Sequence, residues 1–207
     1  MHRFLRSLAA AMLALLVTSP ALAAGGYRAL DGPQPANDPD KIEVIEFFWY
    51  GCPHCYRFEP MIQQWAQQEK APNVEFRHVP AILSRAWELH GRAFYAAKVM
   101  GVLDRFHQPM FDKLHEDHRG LSNEDEIRDF VDSLGIDGDQ FVKTMNSFAV
   151  DTKIRRARSL QKAYGVSGTP TVVIDGRYVT SGSMAGSLQR MIQVINDRVA
   201  AARSESG

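Results

Sequence analysis

The order of hydrophobic and polar residues changes period several times along the chain, and each change marks the border of a predicted element. Residues 41–50 are nearly all apolar after Glu43, which is typical of a β-strand buried on both faces of a sheet. Residues 74–79 alternate between apolar and polar types and are closed by Pro80, so they predict a second strand. Between these strands, apolar residues recur at helical spacing, at Met61, Ile62, Trp65 and Ala66. A strand, a helix and a strand of this size predict a parallel pair with a right-handed crossover.

The segment from Ser84 to Tyr164 has a helical period of about 3.6 throughout. Glycines at its turns and a cap-like Ser122 with Asp125 three residues later predict the helix boundaries. Five helices are predicted: 84–100, 104–114, 122–134, 137–148 and 150–164. Their apolar side chains are interpreted as core rather than as functional groups.

The last segment returns to a strand pattern. Residues 171–174 and 177–181 predict two strands, and Asp175-Gly176 between them predicts a type I′ hairpin turn. Residues 183–202 predict a closing amphipathic helix, and residues 27–30 a short edge strand. The predicted fold class is therefore α/β, with one sheet and a helical segment, residues 84–164, inserted between its strands.

The N-terminus has the pattern of a secretory signal peptide. Arg3 and Arg6 precede an apolar run of about ten residues, and Ala21-Leu22-Ala23 matches a cleavage site, which predicts removal of residues 1–23. A retained membrane anchor is the alternative, but the run is short of the roughly 20 residues that cross a bilayer. The remaining 184 residues (207 − 23) carry 22 basic (24 − 2) and 24 acidic side chains, which does not favour a nucleic-acid partner.

The candidate chemistry lies at Cys52-Pro53-His54-Cys55, directly after the first strong strand, and these are the two cysteines of the chain. A helix N-terminus presents free N–H groups and a positive partial charge, both of which stabilise a thiolate at Cys52. Pro53 suits the first helical turn because it has no N–H to leave unsatisfied. His54 supplies a donor or a cation beside the same sulfur. Two intervening residues also let the sulfurs close a disulfide, so the segment is interpreted as a reactive dithiol.

Two other interpretations of the cysteines are a structural zinc site and a structural disulfide. A structural zinc site needs about four ligands, so two of the seven histidines would have to complete it. A structural disulfide between residues this close would remove little entropy from the unfolded chain. Export to an oxidising compartment and a strand-to-helix context favour redox chemistry over both.

Glu46 interrupts the first apolar strand and has two interpretations. It is either a strand-end carboxylate that reaches solvent or pairs with a lysine, or a partly buried carboxylate beneath the dithiol. A buried carboxylate has a raised pKa and can relay the proton that Cys55 gains or loses. The apolar flanks of Glu46 favour the second interpretation.

The histidines indicate no metal site. His115-Glu116-Asp117-His118 contains residues that bind metals, but it lacks the His-Glu-x-x-His spacing and is interpreted as a solvated helix end. His78 and His90 have no partners that the sequence reveals. We therefore expect neither a metal nor another cofactor.

The order of these motifs resembles that of a known family. A Cys-x-x-Cys at a strand-to-helix junction, followed much later by Gly168-Thr169-Pro170-Thr171, a hairpin and a final helix, resembles the thioredoxin superfamily. With the signal peptide, the helical insertion and Phe-Phe-x-x-x-Cys-Pro-His-Cys-Tyr-x-Phe-Glu, residues 41–202 resemble the DsbA family, periplasmic thiol:disulfide oxidases of Gram-negative bacteria. Many members carry Val-Pro where this chain has Thr169-Pro170.

The resemblance implies a thioredoxin-like domain of residues 24–83 and 151–203 around the inserted helical subdomain 84–150. It also implies a cis Pro170 that faces Cys52, with Thr169 in the substrate groove, and a redox-active disulfide between Cys52 and Cys55. That disulfide would be donated to reduced, unfolded exported proteins through a mixed disulfide at Cys52.

Partners follow from the same resemblance. A DsbB-type, quinone-linked inner-membrane oxidase would reoxidise the protein, which we expect to be a monomer. Two alternatives remain open: a disulfide isomerase or reductase of the same fold, and a chaperone-like binder of unfolded exported proteins. The short segment before the first strand has no room for the dimerisation domain that isomerases use.

Overall fold

The computed structural model describes residues 25–32, 40–69, 71–116 and 120–205. The predicted signal peptide and its cleavage site lie outside these residues. The elements are, in chain order, β1 Arg28–Ala29, β2 Ile42–Phe48, α1 Pro53–Gln68, β3 Val74–Pro80, α2 Arg85–Val99, α3 Leu103–His115, α4 Glu124–Ser133, α5 Gly138–Met145, α6 Phe148–Tyr164, β4 Thr171–Ile174, β5 Tyr178–Ser181, α7 Gly182–Ala185 and α8 Leu188–Glu205. Among the described residues, no helix combines the length and the apolar character that crossing a membrane requires.

The five strands form one sheet in the order β1-β5-β4-β2-β3. β2 pairs in parallel with β3 and antiparallel with β4, so it is paired on both edges and all seven of its residues are buried. Asp175 and Gly176 have φ values of 54° and 60°, as a type I′ turn between β4 and β5 requires. The predicted strands and their turn are therefore present, and the sheet holds the C-terminal end of β2 firmly in place.

The core has two layers, one on each face of the sheet. Helices α1 and α8 cover one face through Phe58, Ile62, Met191 and Ile195, which pack against Val44 and other β-strand residues. The helices of the insertion cover the other face, where Ile45 and Phe47 belong to the same apolar cluster as Phe106, Ile127, Phe141 and Met145. Burial of each such side chain stabilises the fold by about 1.5–3 kcal/mol. The apolar faces of the helical insertion are thus continuous with the core of the sheet.

Several helix boundaries differ from the sequence prediction: α5 ends at Met145 rather than at residue 148, α6 begins at Phe148 after its N-cap Ser147, and a glycine and short polar residues set two further boundaries. The closing helix is divided into α7 and α8 at Gly186, whose φ of 85° ends α7, and Ser187 Oγ then accepts a hydrogen bond from Arg190 N at 3.0 Å. The N-cap of α4 is Asn123 rather than Ser122, since Asn123 Oδ1 accepts from Glu126 N at 2.9 Å.

Candidate active site

Cys52 is the N-cap residue of α1, and Pro53 occupies the first helical turn. The backbone N–H of Cys52 donates to Trp49 O at 3.0 Å, and the carbonyl of Cys52 accepts from Tyr56 N at 3.0 Å. These two hydrogen bonds hold Cys52 at the junction of β2 and the helix. Cys52 is 8% exposed, whereas Cys55, one turn into the helix, is fully buried. Cys52 is therefore the more accessible of the two cysteines.

The loop before β4 lies against Cys52. Cys52 Sγ is 3.4 Å from the backbone oxygen of Thr169, a residue 117 positions away in the sequence. The Thr169–Pro170 peptide bond is cis, and Thr171 Oγ1 donates to Gly168 O at 2.7 Å within the same loop. This packing brings Thr169, Pro170 and the dithiol to one surface.

Two grooves meet at His54. One, of about 530 Å³, runs along the loop before β4 and is lined by residues that include Gly168, Thr169, Pro170, Met184 and Leu188. The other, of about 770 Å³, lies along α1 and is lined by Tyr56, Arg57, Pro60, Met61, Gln108, Leu188 and Gln189. The His54 side chain faces both grooves, and its Nδ1 lies 2.8 Å from the Arg57 guanidinium. An extended peptide has room on either side of His54.

The two thiols have opposite electrostatic environments. The pKa of Cys52 is lowered to about 5, first of all by a hydrogen bond from the Cys55 thiol. Hydrogen bonds from Thr169 and from the N–H groups of Cys55 and His54 lower it further, whereas burial opposes the change. Burial raises the pKa of Cys55 well above its usual range, and the neighbouring Cys52 and Glu46 charges raise it further. The exposed sulfur is the stable thiolate, and the buried sulfur keeps its proton.

Glu46 is fully buried beneath the dithiol, on the face of β2 that packs against α1. Burial raises its pKa, and the nearby His78 offsets part of that increase. Glu46 Oε2 lies 3.2 Å from His78 Nε2, and neither carboxylate oxygen has a hydrogen-bond partner. Of the two sequence interpretations, the structure places Glu46 in the buried position.

A buried cluster that the sequence did not predict surrounds Glu59 on α1. His78 Nε2 lies 3.2 Å from Glu59 Oε2, and His107 Nε2 lies 3.2 Å from Glu59 Oε1. Burial of Glu59 favours its neutral form, but the contacts with His107 and His78 outweigh that effect and hold its pKa well below the usual range. Burial disfavours the His78 cation, yet its contacts with Glu46 and Glu59 raise its pKa to about 9. We call Glu46, Glu59, His78 and His107 the buried polar cluster.

Two members of this cluster have a signal in the sequence: Glu46, whose apolar flanks favour a buried position, and Glu59. Glu59 follows Cys55 by four residues, so a helix places both on the same face, and its position among apolar neighbours matches that of Glu46. His78 and His107 lie on β3 and α3, and no local pattern indicates that they converge on α1.

The other histidines serve in packing. His90 Nδ1 accepts from Trp49 Nε1 at 3.1 Å, and its Nε2 lies 2.8 Å from Leu121 O. His115 Nε2 lies 2.8 Å from Tyr50 O, and its ring stacks on Tyr56. Asp117 and His118, the other half of the motif weighed for metal binding, lie outside the described residues.

Comparisons with known proteins agree with this geometry. A family model described as a DSBA-like thioredoxin domain matches residues 82–193. The thiol:disulfide interchange protein DsbA of Azotobacter vinelandii is 41% identical over 179 residues, which cover 86% of this chain and 83% of that protein. The DsbA of Pseudomonas aeruginosa is 39% identical over 168 residues, which cover 81% of this chain and 79% of that protein.

Solved structures show the same similarity in three dimensions. The crystal structure of Pseudomonas aeruginosa DsbA superposes with a TM-score of 0.80 at 37% identity, over 86% of this chain and 95% of that one. The oxidoreductase DsbA from Xylella fastidiosa superposes with a TM-score of 0.78 at 32% identity, over 88% of this chain and 96% of that one. The predicted thioredoxin-like fold with a helical insertion is confirmed, and the chain belongs to the DsbA family of thiol:disulfide oxidoreductases.

Proposed function

We propose that this protein donates a Cys52–Cys55 disulfide to newly exported, still unfolded proteins in the periplasm. The observation that carries the proposal is the contrast between an accessible sulfur whose pKa is lowered to about 5 and a buried sulfur whose pKa is raised. A pair with a stable thiolate favours the reduced state, and its disulfide is for that reason a strong oxidant. The signal-peptide pattern of residues 1–23, with cleavage after Ala23, supports the location.

The reaction has two exchange steps. A substrate thiolate attacks Cys52 Sγ, the Cys52–Cys55 bond breaks, and its electron pair goes to the Cys55 sulfur, which takes up a proton. A second substrate thiolate attacks the substrate sulfur of the mixed disulfide, and Cys52 leaves as a thiolate. The substrate loses two electrons and gains a disulfide, while the protein gains both electrons as a dithiol. The low pKa of Cys52 makes it a good leaving group in the second step.

The remaining site residues have supporting roles in this proposal. Pro53 sets the first turn of α1 without a competing N–H, and His54 stabilises the thiolate from the groove side. Glu46, buried near Cys55, provides the proton that this sulfur takes up. Thr169 and Pro170 line the groove in which the substrate chain lies next to Cys52.

The partners and the domain division are part of the same proposal. Because the dithiol is the stable form, turnover needs an electron acceptor, which we propose is a DsbB-type, quinone-linked inner-membrane oxidase that docks at the same groove. We propose that the protein works as a monomer. In this division, residues 24–83 and 151–203 form the thioredoxin-like domain and carry the dithiol, and the helical subdomain 84–150 is inserted between them.

The equilibrium of the Cys52–Cys55 pair in glutathione redox buffers tests the direction of the reaction. We expect the pair to stay largely reduced in all but strongly oxidising mixtures, and a Cys52→Ser variant to lose the transfer of disulfides to a reduced, unfolded protein. A pair that keeps its disulfide in excess reduced glutathione would overturn the oxidase and indicate a reductase. A Cys52→Ser variant that still promotes disulfide formation would instead favour a chaperone-like binder.

A further inference from the structure

Glu59, His78 and His107 come from three different elements and bring their polar atoms together below the dithiol. One possible ligand atom from each of the three residues lies within 4.8 Å of the other two atoms. Among the described residues, these three are the group of histidine, cysteine, aspartate or glutamate side chains that meets this spacing. The two contacts of Glu59 with the imidazole nitrogens are 3.2 Å each. Tetrahedral Zn²⁺ with ligand distances of 2.0–2.1 Å has ligand-to-ligand edges of roughly 3.3 Å. The two contacts involve different oxygens of Glu59, so whichever oxygen is the ligand, one edge of the site already has about the length that a zinc ion requires.

Several polar atoms of the cluster have no hydrogen-bond partner. His107 Nε2 and both oxygens of Glu46 are buried without one, although each residue lies beside another member of the cluster. Buried polar atoms without partners are rare in native proteins, since each costs free energy, and they need an explanation such as an ion. A cation between the imidazoles and Glu59 would satisfy His107 Nε2 directly.

The charges of the cluster suit a divalent cation. Binding of a divalent cation would displace the proton of the His78 cation and ionise Glu46, which leaves two neutral imidazoles and two carboxylates whose charge of −2 balances the ion. Glu46 is not one of the three residues at ligand spacing, but its Oε2 lies 3.2 Å from His78 Nε2. It would supply the counter-charge next to one ligand.

Neighbouring side chains also hold the ligands in place. Tyr50 Oη lies 2.6 Å from His107 Nδ1, so the second ring nitrogen has a partner that orients the ring, as in most histidine metal sites. On the outer side, the half-buried Gln63 donates to Glu59 Oε1 at 2.8 Å.

We propose that Glu59, His78 and His107 form a zinc site with an open fourth position, distinct from the dithiol. Two imidazoles and one carboxylate suit Zn²⁺ and related transition metals, whereas Ca²⁺ and Mg²⁺ require oxygen ligands. Neither cysteine belongs to the group, so both redox states of the protein can bind the ion.

The test uses the oxidised protein, in which the sulfurs are joined and cannot bind a metal. Isothermal titration with Zn²⁺ measures stoichiometry and affinity, and the visible absorption of bound Co²⁺ reports its ligands and geometry. We expect one ion per chain, a Co²⁺ spectrum of a four-coordinate nitrogen and oxygen site, and loss of both signals in His107→Gln. The matched control is His115→Gln, which changes a histidine two turns further along α3 and should leave binding unchanged.

A second variant keeps the proposal falsifiable if His107→Gln fails to fold. Tyr50→Phe removes only the hydroxyl that orients His107, and we expect it to weaken Zn²⁺ binding by about tenfold or more. Absence of binding to the oxidised protein would overturn the proposal. Zn²⁺ binding that survives in a folded His107→Gln variant would also overturn it, as would binding that is lost in His115→Gln but kept in His107→Gln. An affinity for Zn²⁺ that is unchanged in Tyr50→Phe would overturn it as well.

Discussion

Cys52 caps α1, and Glu59 of the buried polar cluster lies on the same helix, yet different kinds of group control the charges of the two side chains. The Cys52 thiolate is stabilised by the neighbouring Cys55 thiol, by Thr169 and by backbone N–H groups of the first helical turn. In the cluster, side chains from β2, α1, β3 and α3 determine the charge of one another. The pKa of Cys52 thus depends first on Cys55, one turn along the same helix, and then on Thr169 and the N–H groups of the first turn, whereas the charges in the cluster depend on how four elements pack.

The largest expected effect separates the two sulfurs. In the reduced protein, Cys52 should titrate at about 5, against an ordinary value of 9, while Cys55 should stay protonated throughout that range because it is buried beside Cys52 and Glu46. Thiolate absorbance and the rate of alkylation, followed against pH, measure both. Two thiols that titrate together near their ordinary pKa would remove the contrast on which the proposed reaction depends.

The same titration determines how stability depends on pH. Since the pKa of Cys52 is lowered in the fold, its stabilising contribution to the reduced protein is complete above pH 9 and is lost as the pH falls towards 5. The oxidised protein has no thiol to titrate. The stability of the reduced form relative to the oxidised form should therefore rise with pH over this window, and chemical unfolding of both forms at several pH values measures it.

The next effect concerns the cluster. Glu59→Gln in metal-free buffer should lower the free energy of unfolding by about 3 kcal/mol, because it leaves the buried His78 without its ionised partner. Glu46→Gln should cost less, because burial already favours the neutral form of Glu46. Denaturant unfolding at neutral pH measures both variants.

The control for these variants is Glu88→Gln, which removes ion pairs that Glu88 makes with Arg92 and Arg158 nearer the surface. Pairs of this kind contribute less than about 1 kcal/mol. If Glu59→Gln were no more destabilising than Glu88→Gln, the cluster would not be an energetic unit of the core.

The smallest effect concerns His54. If the His54 side chain acts on the thiolate as proposed, His54→Ala should raise the pKa of Cys52. The increase should be smaller than the combined effect of Cys55, Thr169 and the backbone N–H groups, because the substitution leaves those groups in place. Arg57→Ala, which removes the contact partner of the His54 ring, is the matched control. An unchanged pKa in His54→Ala would assign the stabilisation wholly to those other groups.

The sequence by itself determined the elements whose signals are local. The apolar run of β2, the cysteines at the start of α1 and the Asp175-Gly176 turn each express a preference of neighbouring residues, and all three are found where the pattern predicted them. The division of the closing helix at Gly186 was missed, because a single glycine within an amphipathic pattern does not by itself show that the backbone takes a positive φ there.

Only the tertiary structure decided which distant residues meet. Thr169 reaches Cys52 across 117 positions, and His78 and His107 converge on Glu59 from a strand and a helix that share no motif with it. Packing of the helical insertion on the sheet brings α3 against α1, and burial then makes the contacts between charged groups strong enough to change their pKa values. Local sequence predicted where the reactive thiols are, and long-range packing provided the groups that control them.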